Sequence, residues 1–297
     1  MKKLNVIMID AFKPEYIKHA PYLQSLTKKF QHGELDMGFG HWRGVDILFT
    51  GNSNKIAIFY KNNNSLYHLK YFTWLKYFGK IGRLIVDILF NIPRLIKGYE
   101  LIRTGNIPLD RLYTFDASVK KHPGKKVSRF YYFGELDRVG HKYGTKNEKI
   151  IKTIRKIDKK LSKMDLDLIF SDHGMIDIEK IISVPLTENC FIDSDMARYW
   201  GNKDELEKIR EKLPLEHGRV IEWNKKYGDL IFLANPGVLF FPNFWNIKPV
   251  KAMHGYDGRH RELKAFYILK KSGGKKDLTA EELYNELKVN FPKQKSF

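Results

Sequence analysis

Three short apolar runs, each closing on a carboxylate, limit what this chain can become. Residues 4–9 end at Asp10, Val127–Phe133 leads to Asp137, and residues 166–170 run into Ser171-Asp172-His173-Gly174. Runs this short, rich in branched and aromatic side chains and bounded by polar residues, predict buried β-strands. The intervening stretches carry helical spacing. In residues 146–164, Ile150, Ile151, Ile154, Ile157 and Leu161 recur at helical intervals, and Pro14 suits a first helical turn after the first strand. Strands alternating with helices predict an α/β fold, a mostly parallel central sheet with helices on both faces. Sites in such sheets form beyond the carboxyl ends of strands, which is where the three acids fall.

The chain is long enough for one large core domain with insertions. Residues 62–112 change texture, with Tyr67, Tyr71, Phe72, Trp74, Tyr77, Phe78, Phe90 and Arg94 among lysines. This stretch reads as a helical aromatic and basic cap inserted into a core made of residues 1–61 and 113–297. A second small insertion is expected at about 193–227, with a helix over 204–213. The core should then resume with strands at 229–234, 238–241 and 265–269.

Hydrophobic residues at 43% and charged residues at 29% exclude wholesale disorder. The formal net charge of +19 attracts anions, so nucleic acid, anionic lipid and phosphorylated metabolites are all admitted as partners. Charge alone does not choose among them, and the lysines between 152 and 163 fit a solvated helix face. Cys190 is the only cysteine, which excludes an intrachain disulfide and fits a reducing cytoplasm. Asp10 interrupts the apolar start before a signal-peptide core is complete. Asp87, Pro93 and Arg94 break the most membrane-like stretch, residues 84–96, far short of the roughly 20 apolar residues a span needs.

The residues able to do chemistry cluster at the predicted strand ends. Asp137 and His141 lie four apart just after a strand, so one turn could aim both at a single ion. Asp172 and His173 follow a buried run directly, and desolvating such groups without a partner costs several kcal/mol. Asp10 and His254 would each pass singly for a cap or a surface residue. Together Asp10, Asp137, His141, Asp172, His173 and His254 supply three carboxylates and three imidazoles, enough for two three-ligand sites with open positions. Two ions about 3.5–4 Å apart would clamp the attacking and leaving oxygens of a displacement at phosphorus.

Four segments resemble the metal motifs of the alkaline-phosphatase superfamily, in its type I phosphodiesterase/nucleotide pyrophosphatase branch. They are Val-Ile-Met-Ile-Asp10-Ala-Phe-Lys-Pro, Glu135-Leu-Asp137-Arg-Val-Gly-His141-Lys-Tyr-Gly144, Ser171-Asp172-His173-Gly174-Met175 and Met253-His254-Gly255-Tyr256, in the family's order. The resemblance implies an alkaline-phosphatase-like three-layer α/β/α sandwich and a metal-dependent hydrolase of phosphate esters. It also implies a division of ligands, with Asp10, Asp172 and His173 on one ion and Asp137, His141 and His254 on the other. Zinc is the expected cofactor, with manganese or another divalent ion as alternatives.

The resemblance fails at one position. The family carries a Thr or Ser nucleophile at the start of a helix that commonly ends in Thr-Gly, here matched by Thr50-Gly51. Counting back from there lands on His41, and residues 32–49 contain no Ser, Thr, Tyr or Cys. Four explanations stand: His41 accepts the phosphoryl group or acts as base, a hydroxide activated by the ions attacks directly, a nucleophile comes from elsewhere in the fold, or the ions persist without turnover. Arg43, one turn into that helix, could meet a phosphate with its guanidinium fork. Gly38, Gly40 and Gly44 suggest either close approach to a ligand or a tight loop. Residues 193–200, Asp-Ser-Asp-Met-Ala-Arg-Tyr-Trp, resemble an insertion segment of some bacterial and archaeal relatives and receive no role.

The expected substrate is a small phosphorylated molecule: a nucleotide, a sugar phosphate or a lipid-linked phosphate. The 62–112 cap would close over its organic half, stacking a base or meeting a membrane surface. The alternatives are an impaired relative that binds metal and a phosphorylated ligand, and a basic nucleic-acid-binding protein, although no specific nucleic-acid binding is expected.

Overall fold

The computed structural model describes residues 4–41, 43–57, 73–78, 81, 82, 85, 99–100, 119–120 and 127–290. Its central sheet has six strands in the order Leu278–Thr279, Gln31–Asp36, Ala265–Leu269, Leu168–Phe170, Leu4–Ile9 and Val127–Phe133. Leu4–Ile9 runs parallel to both Leu168–Phe170 and Val127–Phe133. Ala265–Leu269 is antiparallel to its two neighbours, and Leu278–Thr279 pairs in parallel at the edge. The three strands that carry the acids are therefore adjacent and parallel, so their carboxyl ends open on one side.

Side-chain alternation along these strands makes the three layers. Val6 and Met8, with Leu168 and Phe170, face Val45, Ile47 and Leu48 of the helix Arg43–Thr50 and Leu283 of the helix Ala280–Asn290. Ile7, Ile9 and Ile169 point the other way, onto Leu23 and Leu26 of Pro21–Thr27 and onto Ile150, Ile154, Ile157 and Leu161 of Glu148–Leu161. A period of two sends successive residues into opposite cores, and burial on both faces explains why these strands read as almost continuous apolar runs. The predicted α/β fold with a mostly parallel sheet is present.

Beside this sheet lies a second one, of four antiparallel strands in the order Gly218–Ile221, Leu230–Ala234, Met196–Tyr199, Cys190–Ile192. Two expectations change here. Leu230–Ala234 does not rejoin the central sheet, because Leu230, Phe232 and Ala234 fill one apolar cluster while Ile231 and Leu233 fill another with Ile56, Ala57 and Met196. Val238–Phe240 pairs in parallel with Lys180–Ile182 rather than with the core strands. The stretch 193–227 is thus built into the second sheet together with its flanking strands. Its helix, Lys203–Arg210, starts with an Asn202–Glu205 capping box.

Most of the helical cap expected at 62–112 lies outside the described residues. Within it Thr73–Phe78 forms a short 3-10 helix, and Tyr99–Glu100 pairs antiparallel with Val119–Lys120. Among the described residues no helix is long and apolar enough to cross a membrane.

One buried carboxylate serves the fold. Pro21–Thr27 starts after Ala20, which has no side chain to cap it, and Asp158 of Glu148–Leu161 instead accepts from Tyr22 N at 3.0 Å and Leu23 N at 2.9 Å. Asp158→Ala should leave both donors unsatisfied and lower stability by about 2–4 kcal/mol. Urea unfolding measures this, and a loss below about 0.5 kcal/mol would show that the bonds are dispensable.

Candidate metal centre

Each metal-ligand candidate sits where a strand or helix ends. Asp10 extends the Leu4–Ile9 ladder by one bond, its N–H donating to Phe133 O at 3.1 Å. The chain then turns through Ala11 at φ +58°, a left-handed conformation rare for a residue with a Cβ, and the Ala11 N–H donates to Asp172 Oδ1 at 3.4 Å. Asp172 and His173 leave the end of Leu168–Phe170. The His173 Nδ1 bonds Gly174 O at 2.9 Å, so its Nε2 faces inward, 3.4 Å from Asp10 Oδ1 and 3.4 Å from Asp172 Oδ2.

Asp137 and His141 lie one turn apart on the helix Glu135–Tyr143, so the predicted turn is a helical one, and both project from the same face. Asp137 also falls in the first turn, where the helix dipole favours a carboxylate. The His141 Nδ1 donates to Ala252 O at 2.7 Å, which fixes its tautomer and leaves Nε2 toward Asp137 Oδ1 at 3.1 Å. His254, just after Ala252–Met253, brings its Nε2 to 3.5 Å from the same Asp137 oxygen. Its ring stacks on His173 with centroids 3.5 Å apart and lies 5.2 Å from that of His141.

All six predicted ligands therefore converge. Asp10, Asp172 and His173 form one compact trio, as the resemblance implied. The other trio with mutually close donor atoms is Asp137, His254 and His173, all within 4.8 Å of one another. His173 thus lies between both groups, with His141 joined to the second through Asp137.

The electrostatics suit cations. Burial, followed by the charges of Asp172 and Asp137, raises the Asp10 carboxyl well above its ordinary value, and Asp172 is raised chiefly by burial. Asp10 Oδ1 is buried and accepts no hydrogen bond from the described residues. Three carboxylates beside three imidazoles with inward lone pairs form a donor set that two divalent ions would complete.

Two residues not picked out from the sequence belong to this site. Tyr132 lies in the strand beside Asp10, and its hydroxyl donates to Asp10 Oδ2. Burial and the neighbouring Asp10 and Asp137 carboxylates raise the phenol, which keeps it a donor. The available signal was a tyrosine in a core strand, since a covered hydroxyl needs a partner. The other is Asp195, within the segment left without a role, whose Oδ1 lies 2.8 Å from His41 Nε2.

His41 precedes the helix Arg43–Thr50, as the spacing implied, and its ring meets His254 edge-on at 5.1 Å. Burial pushes its imidazole down, but the charge and hydrogen bond of Asp195 outweigh this and hold it at about 9. Arg43 is the first residue of the helix rather than one turn inside it. Its guanidinium pairs with Glu281 Oε1 at 3.3 Å and lies over the Trp223 ring. The glycines support a tight loop: a Cβ on Gly40, at φ +83°, would stand 2.5 Å from Ile56 O, and Gly38 and Gly44 abut Arg43 and Met37.

Residues 111–212 match the family model described as Type I phosphodiesterase / nucleotide pyrophosphatase, a span that includes Asp137, His141, Asp172 and His173. The fold is similar to murine ectonucleotide pyrophosphatase/phosphodiesterase 5, solved as an inactive variant in complex with AMP, with a TM-score of 0.70 and 17% identity over 100% of this chain and 96% of that one. The human protein of the same name gives 0.69 and 17% over the same shares. Both findings agree with the resemblance carried by the four motifs. The family model covers residues 111–212 alone, and the solved structures, at 17% identity, share the fold of this chain. No curated protein matches the chain in a search by sequence.

The Tyr132 hydroxyl donates to Asp10, a candidate metal ligand, from outside the candidate donor set. Tyr132→Phe should weaken binding of zinc or manganese by about 10–100-fold while leaving the thermal transition in place. Calorimetric titration with each ion reads the change, and an unaltered affinity would remove Tyr132 from the site.

Proposed function

We propose that this protein hydrolyses phosphate esters, phosphodiesters or nucleotide pyrophosphates foremost, with two divalent ions, zinc first and manganese or another divalent ion as alternatives. The observation that carries this reading is the convergence of Asp10, Asp137, His141, Asp172, His173 and His254 at the strand ends, with a buried Asp10 oxygen that accepts no hydrogen bond among the described residues. Bound there, the ions would supply positive charge for the phosphoryl, attacking and leaving oxygens.

The chain's own residues divide the remaining work. Asp10, Asp172 and His173 hold one ion, and Asp137, His254 and His141 hold the other, with His173 close to both. His41 stands where the family has its hydroxyl. Held cationic by Asp195, it suits a donor to the phosphoryl oxygens better than a nucleophile, so water is the attacking group in this reading. The likeness to a protein solved with AMP supports a nucleotide-type substrate. The net charge of +19 would draw such anions in, and residues 62–112 would cover the organic half or touch a membrane surface. A cytoplasmic setting is consistent with the single cysteine.

The second reading, an impaired relative that binds metal and a phosphorylated ligand, is favoured by the missing hydroxyl alone. Hydrolysis of bis(p-nitrophenyl) phosphate separates the two. Turnover should vanish with a chelator, return with zinc or manganese, and fall more than about 100-fold in Asp172→Ala. Metal-loaded protein without turnover on diester, monoester or dinucleotide would sink the hydrolase reading. Binding to nucleic acid that persists under chelation and weakens steeply with salt would favour the nucleic-acid alternative.

A further inference from the structure

The turn at residues 193–195 connects two strands of the second sheet and reaches the metal cleft from outside the central sheet. Its backbone is anchored without the Asp195 carboxylate. Asp193 accepts from Arg198 Nε at 3.1 Å and from Trp245 Nε1 at 2.7 Å, Phe240 N donates to Ser194 O at 2.8 Å, and Ala234 N donates to Asp195 O at 2.8 Å. Asn246 adds a bond to Ser194 Oγ at 2.9 Å.

The Asp195 side chain is fully buried and makes a single hydrogen bond, to His41 Nε2. Its other oxygen accepts none from the described residues and lies against Gly255, where an added Cβ would stand 2.5 Å away. Gly255, at φ +95°, adjoins the ligand His254, and its carbonyl takes the Gly40 N–H at 2.8 Å. Backbone bonds already hold each loop, the turn to Phe240 and Ala234 and the His41 loop to Ile56 and Gly255, so a carboxylate buried at a cost of several kcal/mol is a poor device for placing them. Its chemical effect is on the ring it faces.

We propose that Asp195 is a positioning residue of the catalytic site, which engages the Nε2–H of His41 and leaves Nδ1 as the one ring nitrogen for a phosphorylated substrate. A carboxylate accepts only, so Nε2 must carry hydrogen in this contact. The pair Asp195–His41 then occupies the place of the absent hydroxyl as a unit, and the segment 193–200 gains a role: Arg198 holds Asp193, and the turn so fixed holds Asp195. This inference rests on the hydrolase reading.

The test uses the full-length chain loaded with zinc, in wild type, Asp195→Asn and Asp195→Glu. Activity on bis(p-nitrophenyl) phosphate is combined with two-bond proton–nitrogen correlation spectra of the His41 ring. Asp195→Asn should fold and bind zinc as wild type does, keep KM within about threefold, and lose roughly 100-fold or more in kcat. Its His41 spectrum should lose the shift of the carboxylate-bound Nε2–H, and Asp195→Glu should restore part of both signals. An unchanged kcat, an unchanged ring pattern, or a fall in kcat matched by equal losses of thermal stability and zinc affinity would overturn the proposal. Wild-type turnover with an unaffected Asp195→Asn removes this inference alone. Absence of turnover in wild type removes the hydrolase reading and this inference with it.

Discussion

Three carboxylates gathered in one cleft, Asp10 and Asp172 buried and Asp137 half-buried, are the constraint from which the rest of the structure follows. Asp10, Asp137 and Asp172 repel one another, and burial raises Asp10 and Asp172 further. A fold keeps such a cluster only if something else holds the backbone in place, because the cluster itself opposes assembly. Here that restraint is the parallel trio of strands, of which Leu4–Ile9 and Leu168–Phe170 pack into apolar clusters on both faces. The apolar layers fix where the strands end, and the strand ends fix where the acids meet. A cation pair would turn the repulsion into attraction, so the stability of the cleft and its chemistry depend on the same groups.

The candidate ligands are held with differing degrees of prior organisation. His141 and His173 each commit Nδ1 to a backbone carbonyl, so their Nε2 atoms face the cleft before anything binds. Asp10 is steadied by the Tyr132 hydroxyl on one oxygen while the other stays open. Fixed tautomers and half-satisfied carboxylates are what a metal site requires, since coordination then costs little reorganisation.

How much of this was legible depended on whether a residue's partner was near in sequence or in pattern. Leu4–Ile9, Val127–Phe133 and the helix Glu148–Leu161 were readable because two-face burial or a strict helical stripe leaves a periodic trace. The six candidate ligands could be brought together on paper because motif order compensates for their separation along the chain. Gln31–Asp36 left no such trace, since a strand of Gln-His-Gly-Glu-Leu-Asp alternates between buried and partly covered positions with polar residues at both. The assignment of Leu230–Ala234 to the core failed for the opposite reason: its apolar run fits any sheet, and the choice was made by contacts with Ile56, Ala57 and Met196 that no local pattern encodes. Tyr132 and Asp195 were missed because each acts through one long-range bond, across 122 and 154 positions respectively.

The same contacts explain why the second sheet matters to a site whose ligands all leave other elements. Ile56 and Ala57 pack on Ile231, Leu233 and Met196, while the His41 N–H donates to Ile56 O at 3.2 Å. The loop bearing His41 is thereby fastened to the second sheet by apolar packing and a backbone bond, and to Asp195 through its ring. A hydroxyl nucleophile needs only a helix start to present it. An imidazole in that place is larger, has two distinct nitrogens and can rotate, so it needs an outside carboxylate to choose between them. In the proposed reading, His41 in place of the hydroxyl and the buried Asp195 answer a single requirement, and the second sheet is where it is met.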